Sequence, residues 1–447
     1  MGQWLDCFKA YDVRGKVPSE LNEEIAYRIG RAFAEVIRPK TVCLGYDARL
    51  SGPSLLQALA QGLNDSGSDV IDLGMVGTEM VYFATAYYGY DGGMMITASH
   101  NPAEYNGIKM VRQESRPISS DSGLGDIEKL AYENQFGAKG TGTVSKKDAY
   151  PDYVNHLLKM VPPDQLKPLK ILASPGNGAA GLILERLLPQ LPLQVTGMDM
   201  EPDGTFPHGV PNPILPEARK RIEDQLREGD FDFGVAWDGD YDRCFFLDGK
   251  GEFTEGYYIV GLLAQDMLTQ HPGGSIVIDP RLTWNSLDII SSMGGKAVLC
   301  KSGHAFIKEK MREADAVYGG EMSAHHYFKD SWYTDGGMPP FLMVARLVSA
   351  SGKSLDELVV ERIEMFPCSG EINSTVADVA ATLEKVEKQY PGGTVSKVDG
   401  LSIEFDKWRF NLRGSNTEPV IRLNVETRGD RALLEQKTEE LLSLIRG

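Results

Sequence analysis

Three aspartates at every second position follow an apolar run and could hold a metal ion. The segment reads WDGDYDR, with Asp238, Asp240 and Asp242 after Trp237. In an extended segment, residues two positions apart point to the same side, so the three carboxylates would repel one another unless a cation neutralised them. Ligands that are all oxygen favour a hard ion, Mg²⁺ or Ca²⁺. The alternative, a solvated acidic turn, is disfavoured by the glycine within the segment and by the apolar strand before it.

An EF-hand does not explain these aspartates. Its loop needs a glycine at the sixth position and a glutamate at the twelfth, where this chain has Arg243 and Gly249. We therefore expect Mg²⁺ with an open position for a phosphoryl oxygen.

Ser99 lies at the tip of another apolar run, in the segment MMITASHNPAEYNG (94–107). The chain has no GxSxG elbow, and beyond His100 no relay partner is close in sequence. If Ser99 faces the metal, its natural role is to accept and donate a phosphoryl group. The alternative is a serine that caps the turn before Pro102. Lys109 is a candidate acid/base or charge partner, although a lone lysine is usually a surface residue.

A second polar segment, GGEMSAHH (319–326), suits a sugar. The Glu321 carboxylate accepts hydrogen bonds, whereas the Ser323 hydroxyl both donates and accepts, which matches two neighbouring sugar hydroxyls. The alternative is a metal site built on His325 and His326, but no third ligand at a suitable spacing is evident.

A third polar segment, RGSNTEP (413–419), suits an anion. Arg413, Ser415, Asn416 and Thr417, together with Arg422, offer guanidinium forks, hydroxyls and backbone N–H groups. Such groups bind phosphate. The alternative is a plain β-hairpin turn.

Two shorter segments carry further candidates. Tyr11 and Arg14 lie in KAYDVRG, and His304 follows Gly303 in KSGHAFIK. A histidine at such a tip can move protons near neutral pH.

Alternating strand and helix patterns position these segments. Helical spacing predicts helices over 22–38 and 54–67, and short apolar runs predict strands over 41–47 and 69–74. The same alternation returns over 169–188, 232–243, 274–285 and 316–326, whereas the C-terminal part alternates as a smaller α+β domain. Since ligands bind at the carboxyl ends of strands, we expect the polar tips to converge on one interdomain cleft.

Composition narrows the function classes. The 447 residues suffice for roughly three domains of about 150 residues each. The net charge of −17 argues against nucleic acid or an anionic membrane as partner, because both require a basic surface. A few local Arg and Lys residues can still bind a small anion.

Cysteine usage and the N-terminus favour a cytoplasmic location. The five cysteines are widely spaced and include no CxxC pair, which is typical of free thiols in a reducing compartment. The N-terminal residues do not resemble a signal peptide, and no run reaches the ~18 apolar residues of a membrane span.

The segments TASHNP, DGDYDR, GEMSAHH and RGSNTEP resemble, in order and spacing, those of the α-D-phosphohexomutase superfamily over essentially the whole chain. FKAYDVRG and GHAFIKEKM bring the chain closest to its bacterial phosphomannomutase/phosphoglucomutase branch. The resemblance implies three similar mixed α/β-sheet domains plus a smaller C-terminal α+β domain, heart-shaped around a central cleft. We place these domains at 1–143, 144–252, 253–366 and 367–447.

The resemblance also implies roles for individual residues. A phosphorylated Ser99 would bind Mg²⁺ together with Asp238, Asp240 and Asp242. The remaining catalytic candidates are Lys109, His304, Arg14, His325 and Arg243. The substrate-binding candidates are Tyr11, Arg281, Glu321, Met322, Ser323, Arg413, Ser415, Asn416, Thr417 and Arg422.

The expected reaction interconverts hexose 6-phosphate and hexose 1-phosphate, of mannose and of glucose, through phosphoserine and a 1,6-bisphosphate that turns over in the cleft. Hexose 1,6-bisphosphate would be the activator, and the enzyme would act as a monomer on a small phosphosugar. The rivals are a Mg²⁺-dependent sugar-phosphate phosphatase and a non-catalytic sugar-phosphate sensor. One departure from the family is Gly414, where relatives often carry a side chain and where glycine would loosen the loop.

Overall fold

The first predicted helix shows how local sequence sets the fold. Helix α1 (Glu23–Ile37) begins after Asn22, whose side chain accepts a hydrogen bond from the backbone N–H of Ile25. The first turn is acidic, which suits the positive end of the helix dipole.

The computed structural model describes residues 5–9, 11–119, 122–414 and 420–447.

The N-terminal region contains a mixed sheet of seven strands. They are β1 (Val13–Lys16), β2 (Thr41–Tyr46), β3 (Asp69–Met75), β4 (Gly92–Ile96), β5 (Tyr105–Arg112), β6 (Arg116–Pro117) and β7 (Val144–Lys146). Their order is β1-β5-β4-β2-β3-β7, with β6 paired to β5. The further helices are α2 (Gly52–Asn64), α3 (Thr78–Tyr87) and α4 (Leu124–Glu133). Strands β4 and β5 are antiparallel and pair Met95 with Lys109, which puts Lys109 beside the strand that leads to Ser99.

The next region is built on a second mixed sheet. Its elements are α5 (Tyr150–Met160), β8 (Lys170–Ser174), α6 (Ala180–Leu187), β9 (Gln194–Gly197), α7 (Pro216–Glu228), β10 (Phe233–Trp237), β11 (Cys244–Asp248) and β12 (Phe253–Thr254). The strand order is β12-β11-β10-β8-β9. Antiparallel pairing of Trp237 with Cys244 closes β10 and β11 around residues 238–243, so the aspartates lie in the connection between two interior strands, at the end of β10.

The third region has parallel strands and one antiparallel strand. Its elements are α8 (Gly256–Gln270), β13 (Ser275–Ile278), α9 (Trp284–Ser292), β14 (Lys296–Leu299), α10 (His304–Ala314), β15 (Tyr318–Gly320) and β16 (His326–Phe328). Strand β13 lies between β14 and β15, parallel to both, and β16 is antiparallel to β15. The short strand β17 (Thr334–Asp335), the buried helix α11 (Met338–Ser351) and helix α12 (Leu355–Met365) follow.

The C-terminal region is a five-stranded antiparallel sheet with helices. Its elements are β18 (Ile372–Thr375), α13 (Val379–Gln389), β19 (Thr394–Ser396), β20 (Leu401–Glu404), β21 (Trp408–Gly414), β22 (Val420–Thr427) and α14 (Arg431–Arg446). The strand order is β18-β22-β21-β20-β19. Short 3₁₀ turns occur at Gln113–Ser115, Pro163–Gln165, Leu188–Gln190 and Lys329–Ser331.

The chain divides into two compact units. The first comprises Met1–Phe253 and Asp330–Gly352, and the second comprises Thr254–Lys329 and Lys353–Gly447. Separate apolar clusters underlie the first sheet, the second sheet and the C-terminal sheet. Mixed α/β sheets followed by a smaller α+β region confirm the predicted fold class. Within the described ranges, no helix is both long and apolar enough to cross a membrane.

Candidate active site

Ser99 lies in the loop that follows strand β4, which we call the nucleophile loop (residues 97–104). Its side chain is buried, and its φ of 51° is in the left-handed region, which is unfavourable for a residue with a Cβ. Its backbone N–H donates to Thr97 Oγ1 at 2.8 Å. Strained backbone of this kind is concentrated at functional sites.

The aspartate loop (residues 238–243) faces Ser99 within the first unit. Ser99 Oγ donates to Asp238 Oδ2 at 2.6 Å. Gly239 allows this approach, because a Cβ there would lie 2.7 Å from the carbonyl oxygen of Ser99. The hydroxyl and the carboxylates therefore meet, as the sequence predicted.

The three carboxylates cluster by a different geometry from the one expected. The loop is a tight turn in which Tyr241 has a φ of 43°, so the extended segment that we predicted is wrong. Asp238, Asp240 and Asp242 nevertheless each offer an oxygen within 4.8 Å of the others. Turning the chain, rather than the alternation of a strand, brings the three oxygens together.

These carboxylates fit a hard divalent cation. Asp240 is fully buried, and its Oδ1 has no hydrogen-bond partner among the described residues. A buried carboxylate oxygen without a partner is costly, and a bound cation removes that cost. An all-oxygen donor set of this size suits Mg²⁺.

Lys109 contacts the same carboxylates from strand β5. Its ammonium group lies 2.6 Å from Asp240 Oδ2 and 2.5 Å from Asp242 Oδ2. Burial alone would lower the pKa of Lys109, but the two carboxylates raise it well above its ordinary value. Burial would likewise raise the pKa of Asp240, but Lys109 and the Thr78 hydroxyl lower it. Lys109 is therefore a charged partner of the aspartates, not a surface residue.

Arg243 connects Ser99 to Asp238. Its Nε donates to Asp238 Oδ2 at 2.9 Å, and its Nη2 donates to Ser99 Oγ at 3.3 Å. Arg243 also contacts His100 Nδ1, which lies 3.0 Å from Ser99 Oγ. The Arg243 charge, together with burial, holds the pKa of His100 well below its ordinary value, so the imidazole is neutral.

Arg14 reaches the nucleophile loop from strand β1. It donates to Asn101 Oδ1 at 2.8 Å and to Asp12 Oδ2 at 2.7 Å. Tyr11 is partly exposed just before this strand. The structure thus places Arg14 beside the loop that carries Ser99.

In the second unit, the predicted sugar-binding residues surround Arg281. Arg281 Nε donates to Asp279 Oδ1 at 2.9 Å, and its Nη2 donates to Ser323 Oγ at 3.3 Å. The backbone N–H of Met322 donates to Asp279 Oδ2 at 2.9 Å. Glu321 Oε1 lies 3.7 Å from Arg281 Nη2. Burial acts to lower the pKa of Arg281, but the carboxylates of Asp279, Glu371 and Glu321 raise it, so Arg281 is positively charged.

Glu321 also fixes the loop that carries His304. Its Oε1 accepts a hydrogen bond from Gly303 N–H at 2.9 Å, one residue before His304 begins α10. His325 is partly buried, and its ring stacks near Tyr327 at a centroid distance of 6.2 Å.

His326 belongs to the core, which argues against the alternative of a histidine-pair metal site. It is fully buried, its Nδ1 lies 2.7 Å from the hydroxyl of Tyr318, and burial lowers its pKa to about 3. The two neighbouring imidazoles therefore have different environments.

Three arginines of the second unit converge on one carboxylate, and we call this group the arginine cluster (Arg281, Arg413, Arg422 and Glu371). Glu371 lies 3.4 Å from Arg281, 3.2 Å from Arg413 and 3.4 Å from Arg422. Burial acts to raise the pKa of Glu371, but the three guanidinium groups lower it, so it is ionised. The predicted phosphate ligands Ser415, Asn416 and Thr417 lie outside the described residues.

Close packing explains why residue 414 is a glycine. A Cβ at Gly414 would lie 2.7 Å from Val379 Cγ1, so glycine lets helix α13 approach strand β21. The loosened loop that we expected at this glycine stays a prediction.

Sequence reasoning missed several residues that position the site. Thr78, at the start of α3, donates to Asp240 Oδ2 at 2.5 Å, and Arg49 contacts the nucleophile loop. Glu371 was also missed. Arg49 follows the polar tip of a predicted strand, which is a signal that could have found it. Thr78 and Glu371 carry no local signal, because their partners are distant in sequence.

Comparison with known proteins gives a consistent family. The sequence matches four families described as phosphoglucomutase/phosphomannomutase alpha/beta/alpha domain I over 6–137, domain II over 150–251, domain III over 255–366 and C-terminal domain over 371–443. Phosphohexose mutases of Xanthomonas campestris pv. campestris are 53% identical over 446 residues, which span 99% of this chain and 100% of that protein. A phosphomannomutase of Salmonella montevideo is 52% identical over 454 residues, which span 99% of each chain.

A solved structure supports the same assignment. The crystal structure of a phosphoglucomutase/phosphomannomutase family protein from Burkholderia thailandensis superposes with a TM-score of 0.89 at 31% identity, covering 100% of this chain and 98% of that one. The chain therefore belongs to the phosphoglucomutase/phosphomannomutase family.

Proposed function

We propose that this enzyme interconverts hexose 6-phosphate and hexose 1-phosphate, with mannose and glucose as the sugars, and that Ser99 carries the phosphoryl group. The observation that carries the proposal is the 2.6 Å hydrogen bond from Ser99 Oγ to Asp238, within a cluster of three carboxylates, Lys109 and Arg243. The names of the relatives, phosphohexose mutases and phosphomannomutase, support the reaction class.

The first half-reaction transfers the phosphoryl group from Ser99 to the sugar. The bond between Ser99 Oγ and phosphorus breaks, the sugar hydroxyl oxygen forms the new bond to phosphorus, and the hydroxyl proton ends on Ser99 Oγ. The product is hexose 1,6-bisphosphate, and the second half-reaction reverses these steps with the other phosphate. Hexose 1,6-bisphosphate added in trace amounts is the expected activator, because it phosphorylates Ser99 in enzyme molecules that have lost the phosphoryl group.

The charges around Ser99 suit a phosphate. Arg243 donates to Ser99 Oγ and is well placed to hold the transferred group, and the left-handed backbone of Ser99 exposes its hydroxyl toward the aspartate loop. Asp238, Asp240 and Asp242 would hold Mg²⁺, which when bound would neutralise charge on the phosphoryl oxygens. Lys109 and Arg14 are assigned to orient the group and to assist proton transfer.

The second unit supplies substrate recognition in this proposal. Glu321 and Ser323 would read the sugar 3- and 4-hydroxyls, with Arg281 and Met322 holding their loop. Arg413 and Arg422, with Ser415, Asn416 and Thr417, would hold the phosphate that does not react. His304 and His325 are the remaining acid/base candidates, and Tyr11 is assigned to the substrate.

Both sugars should be accepted. The bisphosphate must bind in two orientations, so the useful contacts are to groups that keep their place on reversal: one phosphate and two equatorial hydroxyls. Mannose and glucose differ at the 2-hydroxyl, which none of the assigned contacts needs to read.

The test is kcat/KM for mannose 1-phosphate and for glucose 1-phosphate, with Mg²⁺ and trace hexose 1,6-bisphosphate. We expect both 6-phosphates to form at similar kcat/KM, with no release of inorganic phosphate. Release of phosphate in proportion to substrate consumed would instead support the phosphatase.

A Ser99→Ala variant tests the assigned carrier. It should lose mutase turnover by at least about 1,000-fold, because no group remains to carry the phosphoryl group, while mannose 1-phosphate binding measured by calorimetry persists. Ser115→Ala, at a buried serine whose hydroxyl bonds to the carbonyl of Tyr82, is the matched control. Turnover of Ser99→Ala at the wild-type rate would contradict the mechanism.

A further inference from the structure

One arginine side chain bonds to the backbone around the nucleophile at four points, three in the nucleophile loop and one at the first residue of strand β5. Arg49 Nη1 donates to the carbonyl oxygens of Pro102 at 2.7 Å and Tyr105 at 2.8 Å. Its Nη2 donates to the carbonyl oxygens of Ser99 at 2.9 Å and Asn101 at 2.6 Å. The four hydrogen bonds from Nη1 and Nη2 therefore all go to backbone carbonyl oxygens around the nucleophile.

The backbone N–H of Ser99 is held from the other side. It donates to Thr97 Oγ1, which itself donates to Asp47 Oδ2 at 2.6 Å. Asp47 Oδ1 accepts the backbone N–H of Arg49 at 2.9 Å, and Asp47 Oδ2 lies 3.4 Å from Arg49 Nε. Both polar groups of the Ser99 peptide backbone are thus fixed by one buried network.

This network explains how Ser99 keeps an unfavourable backbone conformation. A φ of 51° persists in a serine only where the surroundings over-determine it. Arg49 is 1% exposed and lies over the ring of Phe206 at 5.5 Å, so the guanidinium itself cannot move freely. An immobile donor that contacts the Ser99 carbonyl can fix the direction of its side chain.

We propose that Arg49 is a positioning residue for phosphoryl transfer: by holding the carbonyl groups of the nucleophile loop, it keeps Ser99 Oγ directed at Asp238. This inference rests on the proposed function, because it takes Ser99 as the phosphoryl carrier. Misplacing a reacting atom by about 1 Å can cost about 100-fold in rate.

A purely structural role for Arg49 makes a different prediction. Loss of buried hydrogen bonds would then lower the melting temperature without changing turnover at a temperature where the protein is folded. Arg31 offers a matched control, because it is also a buried arginine of the first unit and donates to a backbone carbonyl, that of Gly137, at 2.9 Å.

The experiment compares Arg49→Met, Arg49→Lys and Arg31→Met with the wild type at a temperature well below each melting transition. Two quantities are measured: kcat and KM for glucose 1-phosphate, and the rate at which glucose 1,6-bisphosphate phosphorylates Ser99, followed by intact mass. For Arg49→Met we expect kcat and the phosphorylation rate to fall together by about 100-fold, with KM nearly unchanged. Arg49→Lys should lie between this variant and the wild type, and Arg31→Met should lose thermal stability only.

The outcomes separate the inference from the proposed function. If the wild type is not phosphorylated on Ser99, the proposed function fails. If the wild type is phosphorylated and a folded Arg49→Met is phosphorylated as fast, only the inference fails. If Arg49→Met does not fold, Arg49→Lys and the isosteric Thr97→Val decide, and wild-type kcat in both would overturn the inference.

Discussion

Charge balance around Ser99 explains why Lys109 contacts two aspartates. Three carboxylates carry −3, and Lys109 and Arg243 carry +2, which leaves −1 at the aspartate loop. A bound divalent cation would change this sum to +1, which suits a phosphoserine. The lysine therefore serves as a partial counter-charge in a site that we assign to a cation.

At the residue scale, Asp240→Asn should weaken Mg²⁺ binding sharply. The substitution removes a ligand charge and leaves the shape of the side chain. Loss of an outer partner of a metal ligand costs 10- to 100-fold in affinity, so loss of a ligand charge should raise the Mg²⁺ dissociation constant by more than about 100-fold. Calorimetric titration with MgCl₂ and the Mg²⁺ dependence of turnover both measure this effect.

Asp248→Asn is the matched control for Asp240→Asn. Asp248 is also a buried aspartate, but it is the last residue of strand β11 and accepts backbone N–H groups from Lys250 and Glu252 in the turn that follows. A normal Mg²⁺ titration for Asp240→Asn would refute the ligand assignment.

At the scale of elements, the start of helix α3 supports the aspartate loop. The Thr78 hydroxyl donates to Asp240 Oδ2 at 2.5 Å, and the Thr78 N–H donates to the carbonyl oxygen of Asp240 at 3.1 Å. Gly77 N–H donates to the Tyr241 hydroxyl at 3.1 Å. A helix terminus of the first sheet region thus orients a loop of the second.

Thr78→Val should therefore weaken Mg²⁺ binding. It keeps the shape of the side chain and the backbone contacts but loses the hydroxyl that orients Asp240, so we expect a dissociation constant about 10-fold higher. Thr78→Ser should recover most of the loss. Thr85→Val, on the same helix with its hydroxyl bonded to the Val81 carbonyl, should bind Mg²⁺ normally. Equal affinity in the Thr78 and Thr85 variants would mean that the hydroxyl does not orient Asp240.

Glu79, the next residue of α3, should make stability depend on pH. It is 3% exposed, its Oε2 accepts the Met338 N–H at 3.2 Å at the start of α11, and burial raises its pKa to about 8. Because the folded pKa exceeds the unfolded value of about 4.3, the folded state binds more protons between these values. Stability is therefore lost as the pH rises through this range toward 8.

Glu79→Gln tests this dependence because it removes the titration and keeps an acceptor for Met338 N–H. From pH 6 to 8, the wild type should lose about 2 to 3 kcal/mol of unfolding free energy relative to the variant, at about 1.4 kcal/mol per unit. Urea unfolding at each pH, with metal removed by a chelator, gives this difference. Glu133→Gln, at a glutamate whose side chain is 44% exposed, should follow the wild type. Parallel pH profiles for the wild type and Glu79→Gln would contradict the raised pKa.

Sequence patterns predicted the elements better than the contacts between them. Alternation gave helix 22–38 and strand 41–47 to within about two residues, because amphipathic spacing and caps are local. It also predicted that Ser99 meets the three aspartates. Arg49 escaped prediction because its partners are backbone carbonyls, and Thr78 and Glu371 because their partners are distant in sequence. The domain boundaries and the residue roles stay predictions.

At the scale of the whole molecule, the net charge opposes the binding of a phosphosugar. The chain carries −17, and this long-range field is screened beyond about 8 Å at physiological ionic strength. The arginine cluster acts at shorter range: Arg281 is already paired with Asp279, and Arg413, Arg422 and Glu371 together leave a charge of +1. Binding of an anion must therefore compete with Glu371 for the same guanidinium groups.

Glu371→Gln should consequently increase the stabilisation of the folded protein by bound anions. The substitution raises the charge of the Arg413, Arg422 and residue 371 group from +1 to +2 and removes the internal competitor, while the molecule as a whole changes only from −17 to −16. Inorganic phosphate should raise the melting temperature of the variant more than that of the wild type, because a ligand stabilises in proportion to its affinity for the folded state. The variant without phosphate should melt below the wild type, since Arg413 and Arg422 then lose the counter-charge that they share. Glu387→Gln, which removes a partner of Lys397 in the same unit, controls for the loss of one negative charge. If phosphate raises the melting temperatures of Glu371→Gln and Glu387→Gln equally, and the gain of both over the wild type disappears in 0.15 M NaCl, the response comes from the net charge and the cluster is not an anion site.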